Sequence, residues 1–351
     1  MTTRLLTLDA MRGLAALLVV IYHLEDTVEW APSAYLAVDF FFLMSGVVIA
    51  ASYDSKLLQG MSFKTFLLER LIRLYPLFLL GLVIGFARRV GQISIHHPDQ
   101  MSWPDLIVGS LVNLFMVPTP IAGHGLFPAN SPSWSLFFEL VVNVLYATAL
   151  VRARKRVVIA LAGGCAVLLA VCVVWYGSAT GGVDWRSFDM GLLRAVFAFT
   201  VGVVMSRIID RRRPSQSWAF LIPCVALLIL LISEPAFEWR VAYDLTCIFV
   251  LFPALAWFGS ALNPPPRLQA PATLLGELSY PLYVLHYALL FMTSFVARRL
   301  NVPALIWIPA FLVGLVALSY GLVRWYDTPI RRYLRTSLIP ARSWRTVAQG
   351  A

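Results

Sequence analysis

Apolar runs of about 20 residues recur from Leu5 to Tyr326, at roughly 6–24, 36–53, 68–87, 134–151, 157–176, 190–208, 217–233, 241–262, 273–297 and 304–325. As a helix, a run of that length covers about 30 Å, the hydrocarbon thickness of a bilayer. Within hydrocarbon each segment must satisfy its own backbone N–H and C=O groups, which leaves crossing helices as the permitted structure. The chain is therefore expected to be an all-α polytopic membrane protein with about ten transmembrane helices. No hydrophilic block between the runs is long enough to fold separately. Residues 1–330 read as one membrane-embedded domain and 331–351 as a short basic cytoplasmic tail.

A further apolar piece, Leu106 to Val117, is too short for a comfortable crossing and lies between Pro104 and Pro118. Charge decides its placement. If it stays on one side, twenty Lys and Arg residues face the cytoplasm and seven, including Arg88 and Arg89, face outward. If it crosses, the RARKR cluster at 152–156 and RIIDRRR at 207–213 both flip outward, against the positive-inside rule. The segment is expected to be re-entrant or interfacial on the outer face, with both termini cytoplasmic. The acidic stretch 25–33 fits an outer loop, and the Pro- and Gly-rich residues of 88–133 suggest an outer lid.

With 60% hydrophobic and only 13% charged residues, a soluble domain is excluded. The net charge of +10 is distributed over short loops instead of one patch, so it reports topology and argues against nucleic-acid binding. The four cysteines lie inside apolar runs and read as buried free thiols, and His96, His97 and Asp99 have no third spaced ligand, so no metal is expected. Asp9 and Arg12 interrupt what would otherwise resemble a signal peptide, and the first run is expected to remain as the first span.

That first run, LDAMRGLAALLVVIYHL over 8–24, carries Asp9, Arg12 and His23. Arg12 and His23 are eleven positions apart, which returns to the same helix face after about 16 Å. Ionisable groups are costly in hydrocarbon unless they face protein or a water-filled cavity. The pair is expected to line a reaction channel.

Four later segments carry further candidates. Asp39, in VDFFFLMSG, begins the next helix at the depth of His23; it either orients the imidazole or caps its own helix. Arg70 and Arg73, in ERLIRLYP, share a face at the cytoplasmic surface and suit either a phosphate-rich ligand or lipid headgroups. In SPSWSLFFEL, Ser133 and Trp134 sit at the outer interface, with Trp134 by default a belt residue, while Glu139 is an intramembrane carboxylate with no partner in its own helix. His286, in GELSYPLYVLH, falls near mid-membrane, either as a hydrogen-bonded packing residue or as part of a site. A transporter or flippase of a glycan or lipid precursor would also keep such residues in the membrane, but no inverted repeat supports it.

In this order and spacing, LDAMRGLAALLVVIYH, VDFFFLMSG, RLIRLYP, SWSLFFE and SYPLYVLH resemble acyltransferase family 3, integral-membrane enzymes that O-acylate sugars and other acceptors. The resemblance spans residue 8 to about 326. It implies an O-acyltransferase of the plasma (bacterial inner) membrane acting in the cell envelope. The donor would be cytoplasmic acyl-CoA, with acetyl as the default group, and the acceptor a carbohydrate or lipid-linked glycan hydroxyl. It further implies His23 as catalytic base, with Asp39 and Glu139 in the catalytic elements. Arg12 would be a charge within the channel, Arg70 and Arg73 the contacts to the coenzyme A phosphates, and Ser133 and His286 candidate oxyanion donors. No appended outer domain is expected after the basic tail, and a separate envelope-biosynthesis partner is an expected possibility for handing on the acyl group.

Overall fold

The structure is a computed structural model that describes residues 4–24, 30–121, 123–209 and 215–339. The RIIDRRR stretch from 210 onward, residues 25–29 of the acidic outer loop and the tail from 340 onward lie outside the described residues. Thirteen helices make up the described chain: α1 (Leu6–Tyr22), α2 (Ala37–Leu58), α3 (Phe63–Ser94), α4 (Trp103–Asn113), α5 (Ser133–Leu145), α6 (Lys155–Tyr176), α7 (Phe188–Ser206), α8 (Leu221–Ile232), α9 (Arg240–Thr246), α10 (Phe252–Ser260), α11 (Pro266–Arg299), α12 (Ala304–Leu322) and α13 (Thr328–Leu338). Strand structure is confined to a two-residue parallel pairing of Ser215–Gln216 with Leu262–Asn263. The protein is an all-α polytopic membrane protein. Among the described residues, eight helices are long and apolar enough to cross a bilayer. The other two expected runs form α1, of 17 residues, and a shorter apolar helix, Trp218–Ile232.

The piece at 106–117 forms α4, only 11 residues long, against the end of α3. The expected lid is thus partly helical: α3 continues to Ser94, and the irregular backbone is confined to the segments on either side of α4. Residues expected in the tail also fold, because α13 reaches Leu338 and Arg335 bonds Glu69 of α3 at 3.3 Å.

Two close helix pairs form the frame, α1 with α11 and α2 with α7. Glycine makes both possible. A Cβ on Gly46 would lie 2.1 Å from the Phe199 carbonyl oxygen, and one on Gly13 would lie 2.5 Å from that of Leu275. Small residues let helix backbones approach in a membrane, where dispersion replaces the hydrophobic effect as the packing force. Three helical runs pass through single π-turns, at Tyr146–Leu150, Cys247–Leu251 and Val323–Asp327. The first and last carry Tyr146 and Asp327 into polar contacts between helices.

Candidate active site

Arg12 and His23 both face α11, so the shared stripe exists. Arg12 donates from Nη2 to the Gly276 carbonyl at 2.7 Å and from Nε to Ser279 Oγ at 3.0 Å, and it pairs with Asp9 at 3.2 Å. Eleven residues on, the Nδ1 of His23 lies 3.2 Å from the Nε2 of His286. Among the described residues Arg12 lines two cavities, and His23 lines neither of them. Phe41 lines the smaller one and stands edge-on to Tyr283 at 5.7 Å.

The open space lies among α1, α2, α3, α5 and α11. A cavity of about 360 Å³ at the end of the bundle that carries Arg4 is lined by Arg4, Asp9, Arg12, Ser52 and Arg73 among others. A second, of about 160 Å³, shares Arg12 and Arg73 with it and reaches Val38, Phe41, Ser135, Glu139 and Tyr283. Its walls are mostly apolar and its far end is polar: Tyr283 and Ser135 share a 2.7 Å hydrogen bond there. The Tyr283 ring is 6.1 Å from that of His286. Cations therefore mark one end of the space and a hydroxyl pair, one ring from the two histidines, marks the other. Tyr283 and Ser135 were not singled out from the sequence. Ser135 stands two residues from Ser133 within SWSLFFE and Tyr283 three before His286, but only packing shows which of these faces the cavity.

The two histidines define each other's tautomer. The Nδ1 of buried His286 lies 2.8 Å from the Tyr283 carbonyl and 3.1 Å from that of Leu282. Nitrogen facing carbonyl oxygen at that distance must carry the hydrogen, which leaves the His286 Nε2 as an acceptor. The His23 Nδ1, 2.8 Å from the Val19 carbonyl, must likewise be N–H, and it can share that hydrogen with His286. The His23 Nε2 is then the basic nitrogen. The His286 Nδ1–H is thus taken by carbonyls of its own helix.

Other expectations require correction. Asp39 does not meet His23. Its carboxylate is taken by Arg194 of α7, at 2.6 Å from Nη2 and 3.0 Å from Nε, with both side chains 1% exposed. It caps nothing either, since Leu36 holds the cap position of α2 without a side-chain bond. Trp134 is buried, not a belt residue, and carries the Arg194 guanidinium 5.7 Å from its ring. Arg70 is not at the surface: 11% exposed, it lines the smaller cavity and bonds Glu139 at 2.9 Å, and Ser45 donates to the same oxygen at 3.2 Å. The orphan carboxylate of α5 thus finds its partners on α3 and α2. Arg73 lines both cavities, with Asp327 at 3.8 Å and Tyr280 beneath it at 5.3 Å. Ser133 is buried and its Oγ has no partner. No group of three metal-ligating side chains forms among the described residues.

Comparison with known proteins supplies an independent line. A family model described as an acyltransferase domain matches residues 5–324. Over 178 residues, 47% of this chain and 93% of the relative, the sequence is 38% identical to Protein 2 in picA locus of Rhizobium radiobacter. It is 25% identical over 323 residues, 82% of this chain, to the putative peptidoglycan O-acetyltransferase YrhL of Bacillus subtilis (strain 168), of which the match covers 49%. No solved structure matches the chain.

Proposed function

The chain belongs to acyltransferase family 3, and from that premise we propose that it transfers an acyl group, acetyl by default, from cytoplasmic acyl-CoA to a hydroxyl of a carbohydrate or lipid-linked glycan at the outer side of the bacterial inner membrane. The observation that carries this reading is a pair of cavities that share Arg12 and Arg73, cationic at Arg4, Arg12, Arg70 and Arg73 and hydroxyl-lined at Ser135 and Tyr283 near the histidine pair. Guanidinium groups suit the phosphates of a nucleotide, and a narrow apolar passage suits an extended pantetheine arm. The envelope assignment is supported by the name of the Bacillus relative.

In this mechanism the His23 Nε2 takes the proton of the acceptor hydroxyl as its oxygen attacks the thioester carbonyl. The Tyr283 or Ser135 hydroxyl is placed to donate to the developing oxyanion, the C–S bond then breaks, and the imidazolium returns its proton to the departing thiolate. The His286 Nε2 accepts from the imidazolium Nδ1–H, the place a carboxylate takes in a hydrolytic triad. Phe41 and Tyr283 line the smaller cavity and the Tyr283 ring stands 6.1 Å from that of His286, so the acyl end has to pass these rings to reach the imidazole.

Purified protein in nanodiscs should release coenzyme A from acetyl-CoA, and His23→Ala should lower turnover by about 10²–10⁴-fold with unchanged yield of folded protein. Full turnover in that variant ends the general-base assignment; solute movement into vesicles without acyl-CoA replaces the enzyme with a transporter.

A further inference from the structure

Arg88 and Arg89 lie near the end of α3, at the His23 end of the bundle, and neither is used by the mechanism above. Arg88 is 4% exposed, yet no carboxylate pairs with it among the described residues. Its Nη2 reaches the carbonyls of Pro128 and Ala129 only at 3.3 and 3.4 Å, and its buried Nε has no partner. The guanidinium lies over the rings of Tyr287, at 5.4 Å, and Phe291, at 5.2 Å. Half-buried Arg89 bonds the Pro128 carbonyl, Gln92 and the Asp99 backbone. The Asp99 carboxylate itself is turned away, 78% exposed and beside His97.

The contrast with the rest of the domain is chemical. Arg194, Arg70, Arg73 and Arg207 each meet a carboxylate. A guanidinium out of water without a counter-ion is unfavourable, and ring faces and long carbonyl contacts offset only part of that. The chain segment whose carbonyls Arg88 reaches carries two more buried polar atoms without partners, Asn130 Oδ1, next in chain to Ala129, and Ser133 Oγ, whose backbone N–H bonds the Asn130 carbonyl. Tyr287 ties the group to the reaction, because the ring under Arg88 also packs edge-on against His23 at 5.5 Å.

The geometry points to an acceptor subsite in which Arg88 and Arg89 hold an anionic group of the acceptor glycan, a carboxylate or a phosphate ester, with Asn130 and Ser133 available to its hydroxyls. The acceptor is then an acidic saccharide, anchored one ring from the base that deprotonates its neighbouring hydroxyl. This assignment rests on the acyltransferase reading and names the substrate class of the same site.

The test uses the full chain in nanodiscs of zwitterionic phosphatidylcholine, with methyl glucuronide and glucose 1-phosphate as anionic probes and methyl glucoside as the neutral one. The expected result is a saturable rise in Tm with at least one anionic probe and none with the glucoside. Arg88→Gln and, separately, Arg89→Gln should weaken the anionic probe by about 10-fold or more, and Arg88→Lys should retain part of it. Arg89→Gln, at a half-exposed position, keeps the test decisive if Arg88→Gln does not fold. Equal binding of charged and neutral probes, or anionic binding unaffected by both glutamine variants, overturns the subsite. So does stabilisation that comes only from phosphatidylglycerol in the disc, because the anion is then a lipid headgroup. Acetyl-CoA turnover by the unaltered protein is scored separately: its absence refutes the acyltransferase reading and leaves the anion measurement standing on its own.

Discussion

At His23 the carbonyl of Val19 and the ring of His286 both claim Nδ1, and this directs the basic lone pair of Nε2 away from them. The arrangement predicts how His286 contributes. His286→Leu should lower kcat by about 10²-fold with little change in the KM for acetyl-CoA, because the acceptor of the imidazolium N–H is lost while the donor cavity is untouched. His286→Gln, whose Oε1 can occupy the place of Nε2, should recover much of that loss. A packing role alone would move Tm and leave the tautomer alone. The chain has five histidines, few enough for ¹⁵N-histidine spectra to show whether His23 keeps Nδ1–H when His286 is replaced. Arg70 and Arg73 should likewise separate. Arg73→Ala should raise the KM for acetyl-CoA about 10-fold, since Arg73 lines both cavities, whereas Arg70→Ala, which alters the wall of the smaller cavity only, should also lower stability by leaving Glu139 without its cation.

Between elements, the fold depends on contacts that tolerate little change. Asp39 and Arg194 join α2 to α7 by a fully buried ion pair, and removing one partner strands the other charge. Asp39→Asn should cost about 3–5 kcal/mol in unfolding free energy, and the double variant Asp39→Asn with Arg194→Met should regain much of it, measured by denaturant titration in detergent. The same two helices touch at Gly46 and Gly202, where an added Cβ would meet backbone at 2.1 and 2.2 Å. Gly46→Val should therefore lower Tm sharply, while Gly163→Ala in α6, where nothing lies within 4 Å, should be neutral or stabilising by about 0.5–1 kcal/mol. A comparable Tm for the two variants would show that α2 and α7 can separate without loss.

For the molecule as a whole, the cavities that carry Arg4, Arg12 and Arg73 reach Phe41, Ser135 and Tyr283, and the Tyr283 ring stands 6.1 Å from that of His286. Widening the space at Phe41 should have a measurable effect on coupling. Phe41→Ala should connect the 160 Å³ cavity to the imidazole and raise acetyl-CoA hydrolysis by water relative to transfer, read as coenzyme A released per acceptor acetylated. An unchanged ratio would mean that Phe41 shields nothing. Arg194 is the structural partner of Asp39, whereas Arg12 with Arg73 is the proposed donor contact and Arg88 the proposed acceptor contact.

How legible this was in the sequence differs by residue. Length and hydropathy determine that the chain is helical and membrane-embedded, because a bilayer admits almost no other way to satisfy the backbone of so many apolar runs. Spacing alone puts Arg12 and His23 on one face, since that follows from the helical period within a single element. The partners of Asp39, Glu139 and His286 were not legible. Each lies on another helix, 155, 94 or 69, and 263 positions away in the chain, and no local pattern encodes which helices become neighbours. Tertiary packing therefore decided that Asp39 is a strut, that Ser135 and Tyr283 line the smaller cavity, and that the imidazole is oriented by a second imidazole: a helix fixes its own faces through backbone periodicity, whereas what meets those faces depends on the close approaches that Gly13, Gly46 and Gly202 permit.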